Sequence, residues 1–187
     1  PEPVSIADLT KPSYKDLVAI PNIASSSTAW LMHQAVLSAY PEAEAKTLLT
    51  NLTANCGPHI EKSGSGPIKK VRAGEVAVGF GLRHQAIADQ QAGKPISCVD
   101  PVEGNFTLTE SVAVVKKDGP VADLAQKMAA VIVRDARKDL LATYPVVLYT
   151  GEQVAAENVP AYPKEFAEPL TIDLLNKHIE FFNGCRP

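Results

Sequence analysis

The sequence predicts an α/β fold in which a sheet is covered by helices on both faces. Short apolar runs that are typical of buried strands alternate with helical patterns three times in about the first hundred residues. Most of these runs are bounded by Pro or Gly, which marks the strand ends. Ligands of such sheets bind beyond the strand ends, where loops enter helix N-termini.

The first half of the chain contains this alternation. Strands are predicted at residues 16–20, 58–64, 76–81 and 96–100. Helices are predicted at residues 27–40, 41–56, 67–75 and 82–93. Pro41 and Pro67 begin two of the helices, and Gly93 closes the last one.

The pattern changes from Asn105 onwards. "FTLTESVAVV" (106–115) alternates and then becomes continuously apolar, which predicts a long strand. A long helix is predicted over 120–144, and 151–169 is rich in Pro and Glu and predicted to be irregular. The long helix carries one apolar stripe, formed by Leu124, Met128, Val131, Ile132 and Leu140. A last amphipathic helix is predicted over 170–182.

Composition excludes several classes of protein. The 187 residues carry a net charge of −3, which gives no general attraction to nucleic acid or to an anionic membrane. No run of apolar residues is long enough to span a bilayer. Cys56, Cys98 and Cys185 have no metal-ligand spacing, so neither a zinc site nor a cofactor is expected. A Cys56–Cys98 disulfide in an exported protein and three reduced thiols both fit these positions.

Four consecutive hydroxyl residues follow the first predicted strand. Ser25, Ser26, Ser27 and Thr28 lie in "AIPNIASSSTAW", where the strand leads into a helix. A helix N-terminus favours an anion, and hydroxyl groups add neutral donors for a phosphate or a carboxylate. A helix cap would need only one of the four residues. Both interpretations, anion binding and a redundant cap, fit the local pattern.

Two further loops repeat this arrangement. In "KSGSGP" (62–67), Ser63 and Ser65 offer donors, and Gly64 lets the backbone approach a ligand closely, although a flexible turn before Pro67 also fits. In "GLRHQ" (81–85), Arg83 is a candidate bidentate partner for an oxyanion and His84 follows it. A solvated Arg at a helix start fits equally well.

No signature of catalysis is visible. GxSxG, HExxH, Walker and GxGxxG patterns are absent, so no enzymatic activity is predicted. Glu103, in "DPVEGN", is a candidate polar group near a cleft and has no evident partner. The isolated His33, His59 and His178 are predicted to be structural.

Several segments, taken in order, resemble the bacterial type 2 periplasmic solute-binding proteins of ABC importers. They are "VSIADLTKPSYKDLVAIPNIASSSTAW", "VRAGEVAVGFG", "PISCVDPVEGNFTLTESVAVVKK" and "DLAQKMAAVIV". The resemblance is to the ferric-iron-binding-protein-like branch, which also contains binders of phosphonates and phosphorylated sugars. It implies a mixed sheet with helices on both faces, forming one lobe of a two-lobed protein whose ligand lies between the lobes.

The resemblance also implies a division of the chain and a site. Residues 1–103 would form the second ligand-binding lobe, and 104–187 would be the hinge strand and C-terminal helices of a first lobe whose N-terminal part is absent. Exposed apolar surface, with a homodimer or a domain swap, would follow. The resemblance places the hydroxyl run and the 63–65 loop at the ligand. The iron binders have two adjacent tyrosines where His84 and Gln85 stand, and this difference argues against Fe(III), which prefers oxygen anions.

The predicted function is therefore capture of a small organic anion, with a phosphonate or an organophosphate favoured, for a membrane ABC permease. The implied location is the periplasm, or the outer surface of the cell with a membrane anchor. The alternatives are a ferric-iron binder with other ligands, an enzyme on the same fold and a ligand-sensing regulatory domain.

Overall fold

The computed structural model of the protein describes residues 2–186. The chain forms two compact units. Unit 1 consists of Pro1–Thr107 together with Pro160–Pro187, and unit 2 consists of Leu108–Val159. The chain therefore leaves unit 1 once and returns to it once.

Unit 1 is built on a three-stranded parallel sheet. Its strands are β1 (Val18–Pro21), β2 (Ile60–Glu61) and β3 (Val78–Gly79), in the order β2-β1-β3. Ile20 pairs with Ile60 on one side of β1, and Val18 pairs with Val78 on the other. Its helices are α1 (Ser27–Ala39), α2 (Glu42–Cys56), α3 (Gly66–Arg72), α4 (Arg83–Gln91) and α7 (Ile172–Asn183). The three strand–helix repeats predicted from the sequence are confirmed.

The order of the strands places helices on both faces of the sheet. The connection from β1 to β2 runs in one direction across the sheet, and the connection from β2 to β3 runs back past β1. Because parallel crossovers are right-handed, opposite directions put their helices on opposite faces. The pair α1 and α2 therefore covers one face and α3 covers the other. The predicted α/β fold class is confirmed.

The core of unit 1 surrounds β1, whose four residues are all buried. Helices α1, α2 and α7 pack together beside it through fully buried side chains that include Met32, Leu49 and Phe182. His33 is fully buried on α1, and its ring lies edge-on to Phe182 with the ring centroids 4.7 Å apart. His178 is buried on α7 and accepts a hydrogen bond from Trp30 Nε1. Both histidines are core residues, as predicted.

A second, two-stranded parallel pair lies where the chain leaves and re-enters unit 1. It is formed by β4 (Asn105–Phe106) and β5 (Pro163–Lys164), with Asn105 opposite Pro163. Two 3-10 turns, Ala7–Thr10 and Pro12–Tyr14, precede β1.

Two of the predicted strands are wrong. Residues 96–100 are irregular, and the predicted strand over 106–115 is reduced to the short β4. A strand needs a hydrogen-bonded neighbour, and in residues 2–186 the structure places none beside 107–115. An apolar run alone does not supply that partner. The irregular tail over 151–169 is confirmed, except for the turn Ala156–Asn158 and β5.

Unit 2 contains α5 (Pro120–Arg134) and α6 (Arg137–Thr143), where a single long helix was predicted. The helix stops because the Ala136 N–H donates to Val131 O, five residues back. The Arg137 guanidinium then binds Glu152 at 2.6 Å and Val146 O at 2.7 Å, which fixes the start of α6. The stripe of α5 is exposed, with Leu124 and Met128 more than 60 % accessible. The homodimer or domain swap implied by the resemblance stays a prediction.

The three cysteines are free thiols. Cys56 and Cys185 are fully buried, and Cys98 is half-buried. Burial raises the pKa of Cys56 to about 12, so this thiol is unreactive at neutral pH.

Candidate functional site

Three loops leave the carboxyl edge of the sheet in unit 1. They connect β1 to α1, β2 to α3 and β3 to α4. Parallel strands end at the same edge, so these three loops are neighbours. The chain moves to one side of β1 to form β2 and then crosses back past β1 to form β3, so the loops after β1 and β2 lead to helices on opposite faces of the sheet. The hydroxyl run, the 63–65 loop and Arg83 all lie on these loops or at the helix starts that follow them.

Gly64 brings the first two loops into direct contact. A methyl group on Gly64 would overlap Thr28 Oγ1 and would lie 3.1 Å from Ser26 Oγ. The backbone of the 63–65 loop therefore rests against the hydroxyl run. The third loop follows closely, since a methyl group on Gly81 would have Gly64 O as its nearest neighbour at 4.0 Å.

The hydroxyl run is not used as a helix cap. Ser26 is the N-cap residue of α1, yet its side chain makes no capping hydrogen bond. Ser25 and Ser27 are exposed and Ser26 is half-buried, whereas Thr28 is only 7 % exposed and packs on Gly64. The Ser25 hydroxyl donates to Asn22 O at 3.4 Å, the Ser26 hydroxyl lies beside Gly64, and Ser27 is exposed, while Thr28 holds the two loops together.

The 63–65 loop also leads into its helix through an N-cap serine that makes no side-chain cap. Ser65 is the N-cap residue of α3 and makes no side-chain capping bond, and Ser63 is exposed. The Gly66 N–H donates to Ser63 O at 3.1 Å, which closes the turn without using either hydroxyl. Ser63 and Ser65 thus flank Gly64, whose backbone rests against the hydroxyl run.

The Arg83 guanidinium is held by an internal carboxylate. Arg83 Nε donates to Asp100 Oδ1 at 2.9 Å, and Nη2 donates to Asp100 Oδ2 at 3.3 Å. The bidentate geometry predicted toward a ligand is therefore made with Asp100. His84 follows in the first turn of α4 and is half-buried.

Glu103 does not lie with the hydroxyl loops. It is 3 % exposed, and its oxygens accept hydrogen bonds from Ile6 N at 2.9 Å, Ala7 N at 2.9 Å and Tyr40 Oη at 3.0 Å. These partners fill the carboxylate, so Glu103 anchors the turn Ala7–Thr10 to α1. Burial and the hydrogen bond to Glu103 raise the pKa of Tyr40 to about 12.

Sequence reasoning missed Asp100, which is the partner of Arg83. The sequence signal for Asp100 is an acidic residue directly before Pro101 in "DPVEGN", the segment that also contains Glu103. In residues 2–186, no group of three or more His, Cys, Asp or Glu side chains is placed to hold a metal ion. The Gln85 side-chain oxygen is buried and has no hydrogen-bond partner.

A Gly64→Ala substitution should lower the free energy of unfolding by about 1–3 kcal/mol, because the methyl group overlaps Thr28. Urea unfolding measures the loss. Gly81→Ala is the matched control in the neighbouring loop, and a change within about 0.5 kcal/mol is expected there. Equal stability of the two variants would contradict the contact between Gly64 and Thr28.

Comparison with known proteins agrees with this architecture. A family model described as bacterial extracellular solute-binding protein matches residues 1–170. The chain therefore belongs to the bacterial extracellular solute-binding protein family. Proteins of this family are found in the periplasm or outside the cell. No curated protein sequence matches the chain significantly.

Solved structures show the same fold. The periplasmic binding protein AfuA from Actinobacillus pleuropneumoniae, with exogenous fructose-6-phosphate bound, is 29 % identical, with a TM-score of 0.53 over 57 % of this chain and 33 % of AfuA. The periplasmic binding protein P5PA is 17 % identical, with a TM-score of 0.70 over 96 % of this chain and 59 % of P5PA.

A third structure, described as a two-component system protein that mediates signal transduction, is 17 % identical, with a TM-score of 0.60 over 97 % of this chain and 62 % of that one. At 17 % identity, this likeness and that to P5PA concern the fold alone. The chain spans between one third and about three fifths of the length of the three structures. Within residues 2–186, none of the helices has the length and apolar character needed to cross a bilayer.

Proposed function

We propose that this chain forms the ligand-binding lobe of an extracytoplasmic solute-binding protein for a small phosphorylated organic anion. One observation carries the proposal. Gly64 packs the 63–65 loop against the hydroxyl run, so that Ser26 and Ser65, two N-cap serines whose side chains make no capping hydrogen bond, lie on adjoining loops at the carboxyl edge of the sheet. The likeness to AfuA, whose structure contains fructose-6-phosphate, supports a sugar phosphate as the ligand class.

The chemistry of the site suits a phosphoryl group. Ser25, Ser26 and Ser27 donate from the start of α1, and Ser63 and Ser65 donate from the second loop. The N-terminus of α1 adds backbone N–H groups and the positive end of the helix dipole. Such neutral donors bind anionic oxygens without a full positive charge. Thr28 supports the loops, and Arg83 and His84 serve the site from the start of α4.

Ferric iron suits these residues less well as a cargo. Fe(III) prefers oxygen anions, and His84 and Gln85 stand where the resemblance places the tyrosine pair of iron binders. The described part of the chain also lacks a cluster of metal-binding side chains. An organic phosphate or phosphonate is therefore the favoured ligand over iron.

The partner that follows from this role is a membrane permease of the ABC type, to which the ligand is delivered. The protein would work in the periplasm, or at the cell surface with a membrane anchor. Both the permease partner and the location are supported by membership of the solute-binding family.

Fructose 6-phosphate should raise the melting temperature of the full-length protein, because a ligand that binds only the folded state stabilises it. A Ser26→Ala/Ser27→Ala variant should lose about 1.5–3 kcal/mol of binding free energy for each hydrogen bond removed, which is roughly a 10- to 100-fold weaker Kd per bond. Calorimetry measures the affinity.

Ser13→Ala is the matched control, because Ser13 is exposed and precedes β1, so it lies toward the opposite edge of the sheet. Fructose, inorganic phosphate, methylphosphonate and Fe(III) are run in parallel. A shift with fructose but none with any phosphorus compound would overturn the proposal, and a shift with Fe(III) alone would establish the iron alternative.

A further inference from the structure

The Asp100 carboxylate joins three separate parts of unit 1. Oδ1 accepts from Arg83 Nε at 2.9 Å and from Asn105 Nδ2 at 3.1 Å. Oδ2 accepts from Arg83 Nη2 at 3.3 Å and from the Ala161 N–H at 3.0 Å. The Asp100 side chain is only 13 % exposed, and its hydrogen bonds from Arg83 and Asn105 are partly buried, whereas the bond from Ala161 is exposed. Hydrogen bonds between charged groups under such conditions are stronger than neutral ones.

The partners of Asp100 occupy particular positions along the chain. Arg83 is the first residue of α4, directly after the loop from β3. Asn105 begins β4, shortly before the chain leaves unit 1 at Thr107. Ala161 lies directly after Pro160, where the chain re-enters unit 1. One carboxylate therefore binds the start of a site helix and both crossing segments, which are residues 105–107 and 160–164.

The two crossing segments are also bound to each other. The Asn105 N–H donates to Tyr162 O at 2.7 Å, and the centroid of the Phe106 ring lies 5.1 Å from that of Phe166, two residues beyond the second segment. Gly104 has a φ of +124°, and the Lys164 side chain covers the space where a Cβ would stand. The two crossing segments are thus bonded to each other, and a displacement of Asp100 affects both of them.

We propose that Asp100 is a positioning residue that orients the Arg83 guanidinium at the ligand site and couples that orientation to the two crossing segments. The part of this proposal that concerns ligand binding rests on the proposed function. Among the hydrogen bonds to this carboxylate that the structure describes within residues 2–186, two come from Arg83, so a change in the orientation of Arg83 alters the support of Asn105 and Ala161. Occupancy of the site is thereby linked to the segments through which the chain enters and leaves unit 1.

A double-mutant cycle of Arg83→Gln and Asp100→Asn tests the coupling without any ligand. Amide hydrogen exchange is measured over residues 105–107 and 160–164 of the full-length protein. Arg83→Gln alone should speed exchange there roughly 10-fold, because Asp100 loses its charged partner. In the Asp100→Asn background, the same substitution should have no further effect.

The matched control is Arg72→Gln. Arg72 binds Asp89 at 2.6 Å and so joins α3 to α4, but this pair makes no contact with Asp100 in the hydrogen bonds that the structure describes. Exchange over the crossing segments should stay at the wild-type rate in this variant. If Asp100→Asn fails to fold, Arg83→Lys is measured in its place. Lysine keeps the charge beside Asp100 and loses the bidentate geometry, so it should speed exchange less than Arg83→Gln does.

The same variants are then titrated with fructose 6-phosphate. Each single substitution should weaken binding roughly 10-fold, and the double variant should bind no more weakly than Arg83→Gln alone. Two results would overturn the proposal. One is that the two substitutions have additive effects on amide exchange. The other is that Asp100→Asn weakens binding just as much when Arg83 has already been replaced. Absence of binding by the wild type would instead refute the proposed function, while the exchange cycle still decides the role of Asp100.

Discussion

Replacing Glu103 with alanine should lower the free energy of unfolding by about 3–5 kcal/mol. The substitution removes the acceptor of two backbone N–H groups, those of Ile6 and Ala7, and of the Tyr40 hydroxyl. Ile6 is only 2 % exposed, so water does not replace the lost acceptor there. Urea unfolding at pH 7 measures the change, and the melting temperature should fall by about 2–4 °C for each kcal/mol.

Two further variants make this result specific. Glu103→Gln keeps one acceptor oxygen and should show an intermediate loss. Glu165→Ala removes an exposed glutamate from the same unit and should change stability by no more than about 0.5 kcal/mol. A Glu103→Ala variant as stable as Glu165→Ala would show that the Ala7–Thr10 turn does not depend on this carboxylate.

Lowering the pH from 7 to 5 should remove about 2 kcal/mol of stability through His33. Burial lowers the pKa of His33 from 6.5 to about 4. Between these values the unfolded chain binds a proton that the folded chain does not, so stability falls as the pH falls through 6.5 and the full loss of about 3 kcal/mol is reached below 4. Burial also lowers the pKa of His178, which acts in the same direction. Urea unfolding at pH 7, 6 and 5 measures the slope.

A His33→Leu variant separates this effect from other titrations. Leucine fills a similar volume without a titrating ring, so most of the slope between pH 7 and 5 should disappear. The hydrogen bond from Lys11 lowers the pKa of Asp8 to about 2. The stability that Asp8 contributes is therefore lost only below pH 5, so Asp8 does not affect the slope between pH 7 and 5. An unchanged slope in His33→Leu would assign the pH dependence to other groups.

The parts of the fold that the sequence predicted are those with local signals. The segments around Val18, Ile60 and Val78 are each short and bounded by a turn, those at Val18 and Val78 are apolar, and each forms a strand of the sheet. The run over 106–115 has the same composition but forms only β4, because pairing depends on a neighbour elsewhere in the chain. The end of α5 was missed for a related reason, since the carboxylate of Glu152, far along the sequence, fixes Arg137 at the start of α6.

The same distinction applies to the candidate site. The hydroxyl run and the 63–65 loop were recognised because each stands beside a strand-to-helix transition, and their proximity follows from parallel strands. Glu103 and Arg83 could not be assigned in this way. Their partners, which include Tyr40 and Asp100, are distant in sequence, and only the folded chain shows that both groups are held internally. At Ser26 a local signal fails. Its position predicts a helix cap, but its side chain makes no capping hydrogen bond.

The parallel pairing of β4 with β5 gives unit 2 a modular character. Parallel neighbours cannot be joined by a tight turn, so the chain between them must be long, and Leu108–Val159 is that connection. The entropy of closing such a connection grows only slowly, by about 0.6 kcal/mol for each doubling of its length. The connection Leu108–Val159 can therefore change in length or sequence during evolution while the register of the β2-β1-β3 sheet, which carries the serine loops, stays the same.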